Sequence, residues 1–215
     1  MIFSFGRKAQ FEKLLHELKG FVFMQSVAVA AGVTEELESL AAKGSLFSDK
    51  PRAYDRLFSI GPPKSDTTLI NQTTLFLGAF SFFWHAIDRY SFRPENLALR
   101  AAILDPLVLA VSKGIAEMMS NKGKKTTAEE VGAAVQPLSL RYAGARSLIP
   151  RSREDPLDVE NSAVSLAGRA IVDDTELPLS EAERNLLPKL VTNKLLEGLL
   201  NLELPKRIKA METLL

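Results

Sequence analysis

Cysteine is absent from all 215 residues. That excludes disulfides, a thiolate nucleophile, iron–sulfur clusters and zinc knuckles together, and it is compatible with any redox compartment. An excess of charge is absent too: 27 Lys and Arg stand against 26 Asp and Glu, a formal net charge of +1. Gripping a nucleic-acid backbone normally takes a clear basic excess, so no nucleic-acid partner is expected. Long hydrophobic runs are missing. The longest, 21–33 and 75–87, span about a dozen residues with polar breaks, against the roughly 20 that cross a bilayer. Both are expected to be buried core helices, with no membrane span. Residues 21–30 followed by Ala31-Gly32 have the outline of a secretory core and cleavage region. The preceding stretch is long and carries Glu12 and Glu17, however, and Gln25-Ser26 interrupts the apolar run, so a cytoplasmic location is expected. The chain also lacks Gly-x-Gly-x-x-Gly, a P-loop, Gly-x-Ser-x-Gly and His-Glu-x-x-His. No dinucleotide, nucleotide-phosphate, serine-hydrolase or zinc-protease signature remains, no catalytic residue is assigned, and no cofactor is expected.

What is present is ordinary for a globular protein: 46% hydrophobic and 25% charged residues. The apolar spacing follows 3.6 rather than 2, which predicts an all-α fold. The expectation is an irregular or orthogonal bundle of about seven helices forming one domain over 1–215, with possible sub-bundles at 1–60, 65–149 and 155–215.

Cap and breaker signals place the elements. A first helix runs over 8–31. Thr34 then caps a second over 35–43, its first turn acidic with Glu35, Glu36 and Glu38. Asp49-Lys50-Pro51 opens a short piece to Phe58, and Gly61-Pro62-Pro63-Lys64 is the clearest break. Ser65 or Asp66 starts the central helix, which reaches Tyr90. Asp105-Pro106 splits the following stretch into helices 94–104 and 106–120. Thr126 with Glu129, and Thr127 with Glu130, match capping boxes for a helix that meets Pro137 and ends before Pro150. A charged linker follows at 149–154. Asp155-Pro156 starts a helix to about Val172, and 173–178 is a loop. Ser180 with Glu183 opens a helix to Leu202 despite Pro188, and Pro205 starts a short final helix.

The most informative pattern lies on the central helix. Asn71, Thr74, Gly78, Ser81, His85 and Asp88 are spaced 3, 4, 3, 4, 3, which draws one narrow stripe of small or polar residues on an otherwise apolar helix. The plainest reading is the sliver of a buried helix that reaches solvent. A second is close packing, with Gly78 and Ser81 letting a neighbour approach. A third is the polar lining of a ligand pocket formed by Asn71, Thr74, Ser81, His85, Asp88 and Arg89.

His85 with Asp88, and Glu12 with His16, each put an imidazole and a carboxylate one turn apart. If the two helices are neighbours, Glu12, His16, His85 and Asp88 make a candidate metal set, although the Glu-x-x-His of di-iron bundles is absent. Phe76, Phe80, Phe82, Phe83 and Trp84 read as core aromatics. Asp88-Arg89-Tyr90 matches a receptor triplet by coincidence. Two basic clusters, Lys122, Lys124 and Lys125, and Arg141, Arg146, Arg151 and Arg153, read as solvated faces, the second offset by Glu154, Asp155, Asp158 and Glu160.

Two functions follow. The favoured one is a non-catalytic soluble protein that works through a protein partner or as a homo-oligomer, with Leu195, Leu196, Leu199, Leu200, Leu202 and Leu204 as candidate contact residues. The alternative is a ligand- or metal-binding protein, possibly an enzyme, using the polar stripe.

Overall fold

Helix-forming periodicity dominates this chain, and a computed structural model realises it over residues 2–43, 66–94, 97–120, 125–152, 154–175 and 179–215, the residues described here. Among them are eight helices: α1 Ile2–Ala42, α2 Asp66–Ser91, α3 Leu97–Ser120, α4 Ala128–Leu140, α5 Pro156–Glu160, α6 Ala163–Asp173, α7 Glu181–Asn201 and α8 Leu204–Glu212. The fold is all-α. Helix α2 is central, as its apolar circumference requires, and touches α1, α3, α4, α6, α7 and α8. Its Leu75, Phe80, Phe82, Phe83 and Ile87 belong to one buried cluster that also draws Leu18 and Val22 from α1, Leu107 from α3, Ile171 from α6 and Leu195 from α7. The short piece at 49–58 and the break at 61–64 lie outside the described residues.

Three helix boundaries differ from expectation, each for a packing reason. Thr34 does not cap a second helix: α1 is one helix of 41 residues. The Thr34 hydroxyl instead donates back to the Ala30 carbonyl at 2.8 Å, as Ser26 does to Val22 at 2.8 Å. The buried stripe of Val22, Val29, Val33 and Leu37 runs straight through the proposed boundary, so burial overrides the local cap signal. Likewise Asp105-Pro106 does not divide α3. Ile103, Leu104, Leu107 and Val111 bury one continuous face, which outweighs the helical bond that Pro106 cannot donate.

The third difference has the opposite sign. The helix expected from Pro156 to Val172 is broken at Asn161-Ser162 into α5 and α6. There the loop after α4 supplies acceptors: Ala163 N–H donates to Ser147 O at 2.8 Å and Val164 N–H to Leu148 O at 3.1 Å. These two donors belong to the first turn of α6 and would have no partner inside that helix. Ser162 accepts from Ser165 N–H at 3.4 Å as its cap.

Other local signals form as read. Thr127 accepts from Glu130 N–H at 3.2 Å while Glu130 accepts from Thr127 N–H at 2.8 Å. Ser180 and Glu183 close the same reciprocal box at the start of α7, which runs on past Pro188.

Candidate functional site

The stripe on α2 is not a solvent edge. Asn71 and Ser81 are fully buried, Gly78 is buried, and His85 is 8% exposed. Close packing accounts for the Gly78 level: a Cβ placed there would lie 2.3 Å from Ile171 Cγ1 on α6. Only Thr74 and Asp88 are half-buried, and Arg89 is exposed.

Farther along, the same helix turns Ser81, Trp84, His85 and Asp88, spaced i, i+3, i+4, i+7, onto one face. Asp88 receives a two-pronged contact from Arg100 on α3, through Nε and, at 3.0 Å, through Nη2. His85 lies edge-on to Tyr142, with ring centroids 5.8 Å apart. Burial, then the nearby Arg89 charge, lower the His85 pKa below 6.5 against a smaller opposing pull from Asp88. Burial likewise raises the Tyr142 hydroxyl above its ordinary value. Arg89 reaches out of the stripe and donates to the Ala145 carbonyl at 3.0 Å. The six stripe residues therefore do not converge on a shared opening.

Beside this face a groove of about 700 Å³ lies between α3 and α4, lined by Trp84, Leu97, Leu104, Val108, Ser112 and Val135 among others. Among the described residues, Trp84 Nε1, Ser112 Oγ, Ser81 Oγ and His85 Nε2 are buried without a hydrogen-bond partner. The first two belong to residues that wall the groove.

Glu12, His16, His85 and Asp88 do not assemble. Helices α1 and α2 are neighbours, but Glu12 and His16 occupy the exposed face of α1 while His85 is buried beside Tyr142 and Asp88 is held by Arg100. No group of three or more His, Asp and Glu side chains placed to hold a metal occurs among the described residues. In the second basic cluster Arg141 pairs with Asp174 at 2.6 Å, and the Asp158 carboxylate accepts from Arg151 N–H and from Ser152 N–H, the latter at 2.9 Å. Lys122, Lys124 and Arg153 lie outside the described residues.

The leucines near the C-terminus are core, not surface. Leu195, Leu199, Leu202 and Leu204 are buried and only Leu200 stands well out, at 64% exposure. Their contact face is already occupied: α7 packs on α1, α2 and α6.

The exposed apolar face lies instead on α1, within 21–33, the run expected to be buried. Val22 and Val29 are buried, but Phe21, Phe23, Met24 and Val27 are 41%, 40%, 60% and 39% exposed. Gly20, Ala28 and Ala31 are exposed beside them. Phe21 is partly roofed by the Arg207 guanidinium, 4.0 Å from the ring centroid, and Phe23 meets Phe76 edge-on. The signal was legible in the spacing of Gly20, Met24, Val27 and Ala31 (4, 3, 4), which doubles the apolar width of α1 beyond one docking stripe. By length and composition, Gly6–Leu40 is a helix long and apolar enough to cross a membrane. Its charge-free stretch, residues 20–34, is about 22 Å long at 1.5 Å per residue, however, short of the ~30 Å hydrocarbon layer.

Comparison with models of protein families, with curated proteins and with solved structures yields no significant match.

Proposed function

We propose that this protein acts without catalysis, as a soluble cytoplasmic protein that docks a protein partner on the exposed face of α1. The observation that carries this reading is the apolar stretch around Met24 and Val27. Several large apolar side chains on one helix face differ from the scattered exposed leucines any surface carries, and contiguous apolar patches mark interaction sites. The arrangement of α2 favours a structural rather than a catalytic role for its stripe: Asp88 is committed to Arg100, and His85 Nε2 is buried. A chain without cysteine permits a direct test. Met24→Cys is expected to react with a maleimide in the native protein as fast as an unfolded thiol, and to be protected in any complex formed through this face. Slow reaction in the free, folded chain would remove the reading.

A second reading has its own observation. Trp84 Nε1 and Ser112 Oγ are unpartnered at the wall of the α3–α4 groove, and an apolar ligand bearing a hydrogen-bond acceptor would satisfy the indole N–H. Trp84 is the one tryptophan, so its emission reports the groove directly. Titration with small apolar amides should shift it in the native protein and not in Gly132→Leu, whose side chain would enter the groove beside Ser112. An unmoved spectrum across the series rules this reading out.

A further inference from the structure

The groove between α3 and α4 is long and narrow. Its lining runs along α3 from Leu97 to Ser112, which is about 22 Å at 1.5 Å per residue. Its volume of about 700 Å³ spread over that length leaves a mean section of roughly 30 Å², against roughly 80 Å² for a helix ~10 Å across with its side chains. A slender molecule lying lengthwise fills such a space, and a helix would ride above it. Leu97, Leu104, Val108, Leu109 and Val135 make the walls apolar. Gly132 keeps the Ser112 end open, since a Cβ there would stand 3.3 Å from Ser112 Oγ and 3.6 Å from Val108 Cγ1.

Polar groups at the walls narrow the choice further. Among the described residues, neither Trp84 Nε1 nor Ser112 Oγ, both buried, has a hydrogen-bond partner, and Ser112 as a whole is only 2% exposed. An indole N–H can only donate, so it calls for an acceptor, while a hydroxyl takes either role. The charges present disfavour an anion as that acceptor. Asp105 and Glu129 line the groove together with Arg100. The Arg100 guanidinium is already held by Asp88, and Asp105 lies close enough to favour the same charge. Lys113 and Lys125 are exposed and stand outside the lining. A carboxylate ligand would lose its water here and meet an arginine already committed to other carboxylates.

We infer that the groove takes a single-chain amphiphile with an uncharged head, the class of fatty amides, esters and alcohols. Its chain lies lengthwise against Leu104, Val108 and Val135, and its carbonyl or hydroxyl oxygen accepts from the Trp84 indole N–H. This rests on the reading of the groove as a ligand site and adds the length and the charge of the ligand.

The test is titration of the Trp84 emission with the straight-chain amides from hexanamide to dodecanamide, each kept below its aggregation limit. Affinity should rise about threefold to fourfold with each added methylene. At about pH 8, where the acid is ionised, dodecanamide should bind about tenfold or more tightly than dodecanoate. Two variants locate the chain. Gly132→Leu fills the groove beside Ser112 and should abolish binding. Leu109→Asp, at an exposed site, should keep its circular dichroism and weaken dodecanamide about tenfold.

Affinity that does not grow with chain length, or dodecanoate that binds as tightly as dodecanamide, would overturn the inference and keep the groove as a site for small acceptors. An emission that no amide moves removes the inference and that reading together. Binding that is unchanged in Leu109→Asp, and in Gly132→Leu where that variant folds, would put the chain elsewhere on the protein and overturn the inference as well.

Discussion

Arg100 on α3 holds Asp88 on α2 through one edge of its guanidinium, Nε to one carboxylate oxygen and Nη2 to the other, so the end of the central helix is tied to the start of the helix that follows it. Sequence spacing had suggested Asp88 as a ligand beside His85, but here each of its carboxylate oxygens is engaged by an Arg100 nitrogen. The pair is partly exposed, Arg100 at 41% and Asp88 at 22%, which keeps its worth small. Arg100→Ala is expected to cost about 1 kcal/mol. In a domain of this size that is a fall of roughly 2–4 °C in Tm by calorimetry. A loss no greater than that of a surface Lys→Ala change would show that the link is incidental.

His85 should make stability depend on pH. Its folded pKa lies below the unfolded 6.5, first through burial and then through Arg89. Above 6.5 both states are neutral there and the group adds no slope. Below 6.5 the unfolded chain binds the proton first, so stability falls as pH drops toward the folded pKa, by at most ~1.4 kcal/mol per pH unit. His85→Phe keeps a ring against Tyr142 and removes the titrating group. The Tm difference between wild type and variant, measured from pH 7.5 to 5, should move in favour of the variant as pH falls. A constant difference would show that His85 is protonated equally in both states.

Two glycines separate backbone approach from helix propensity. A Cβ at Gly168 would lie 2.2 Å from Thr192 Oγ1 and 2.6 Å from the Pro188 carbonyl. Here α6 and α7 touch at backbone distance, so Gly168→Ala must push them apart and should cost ~2–3 kcal/mol in chemical denaturation. Gly114, inside α3, has nothing within 4 Å, and Gly114→Ala should stabilise by ~0.5–1 kcal/mol. The opposite signs are the result to check.

The capping boxes make a local prediction. Ser180→Ala and Thr127→Ala each remove the acceptor for an N3 amide and should each cost ~1 kcal/mol. The Ser180 change carries the additional burden that Glu183 is only 6% exposed. Hydrogen exchange should show the first turn of α7 or α4 opening while the remainder of the fold keeps its protection.

Much of the architecture was readable along the chain. The all-α class, the central position of α2, both reciprocal capping boxes and the tolerance of Pro188 all came from spacing and side-chain chemistry within one or two turns. The polar stripe was also visible, but its use was not. Whether Gly78, His85 and Asp88 meet solvent, a ligand or a neighbouring helix depends on Ile171, on Tyr142 and on Arg100, and Ile171 lies about ninety positions from Gly78, a separation whose contact no local periodicity encodes.

Local chemistry thus set where most helices begin, because a cap or a proline acts within a turn of itself. Packing chose the rest. It carried α1 through Thr34 and α3 through Pro106, since a continuous buried face outweighs one weak stop signal. It broke α5 from α6 at Ser162, where the loop carbonyls of Ser147 and Leu148 accept the two amides that a continued helix would have bonded to Val159 and Glu160. It also decided which half of the apolar surface on α1 is covered. Val22 and Met24 look alike in the sequence, and only the packing of the other helices on α1 buries the one and leaves the other facing out.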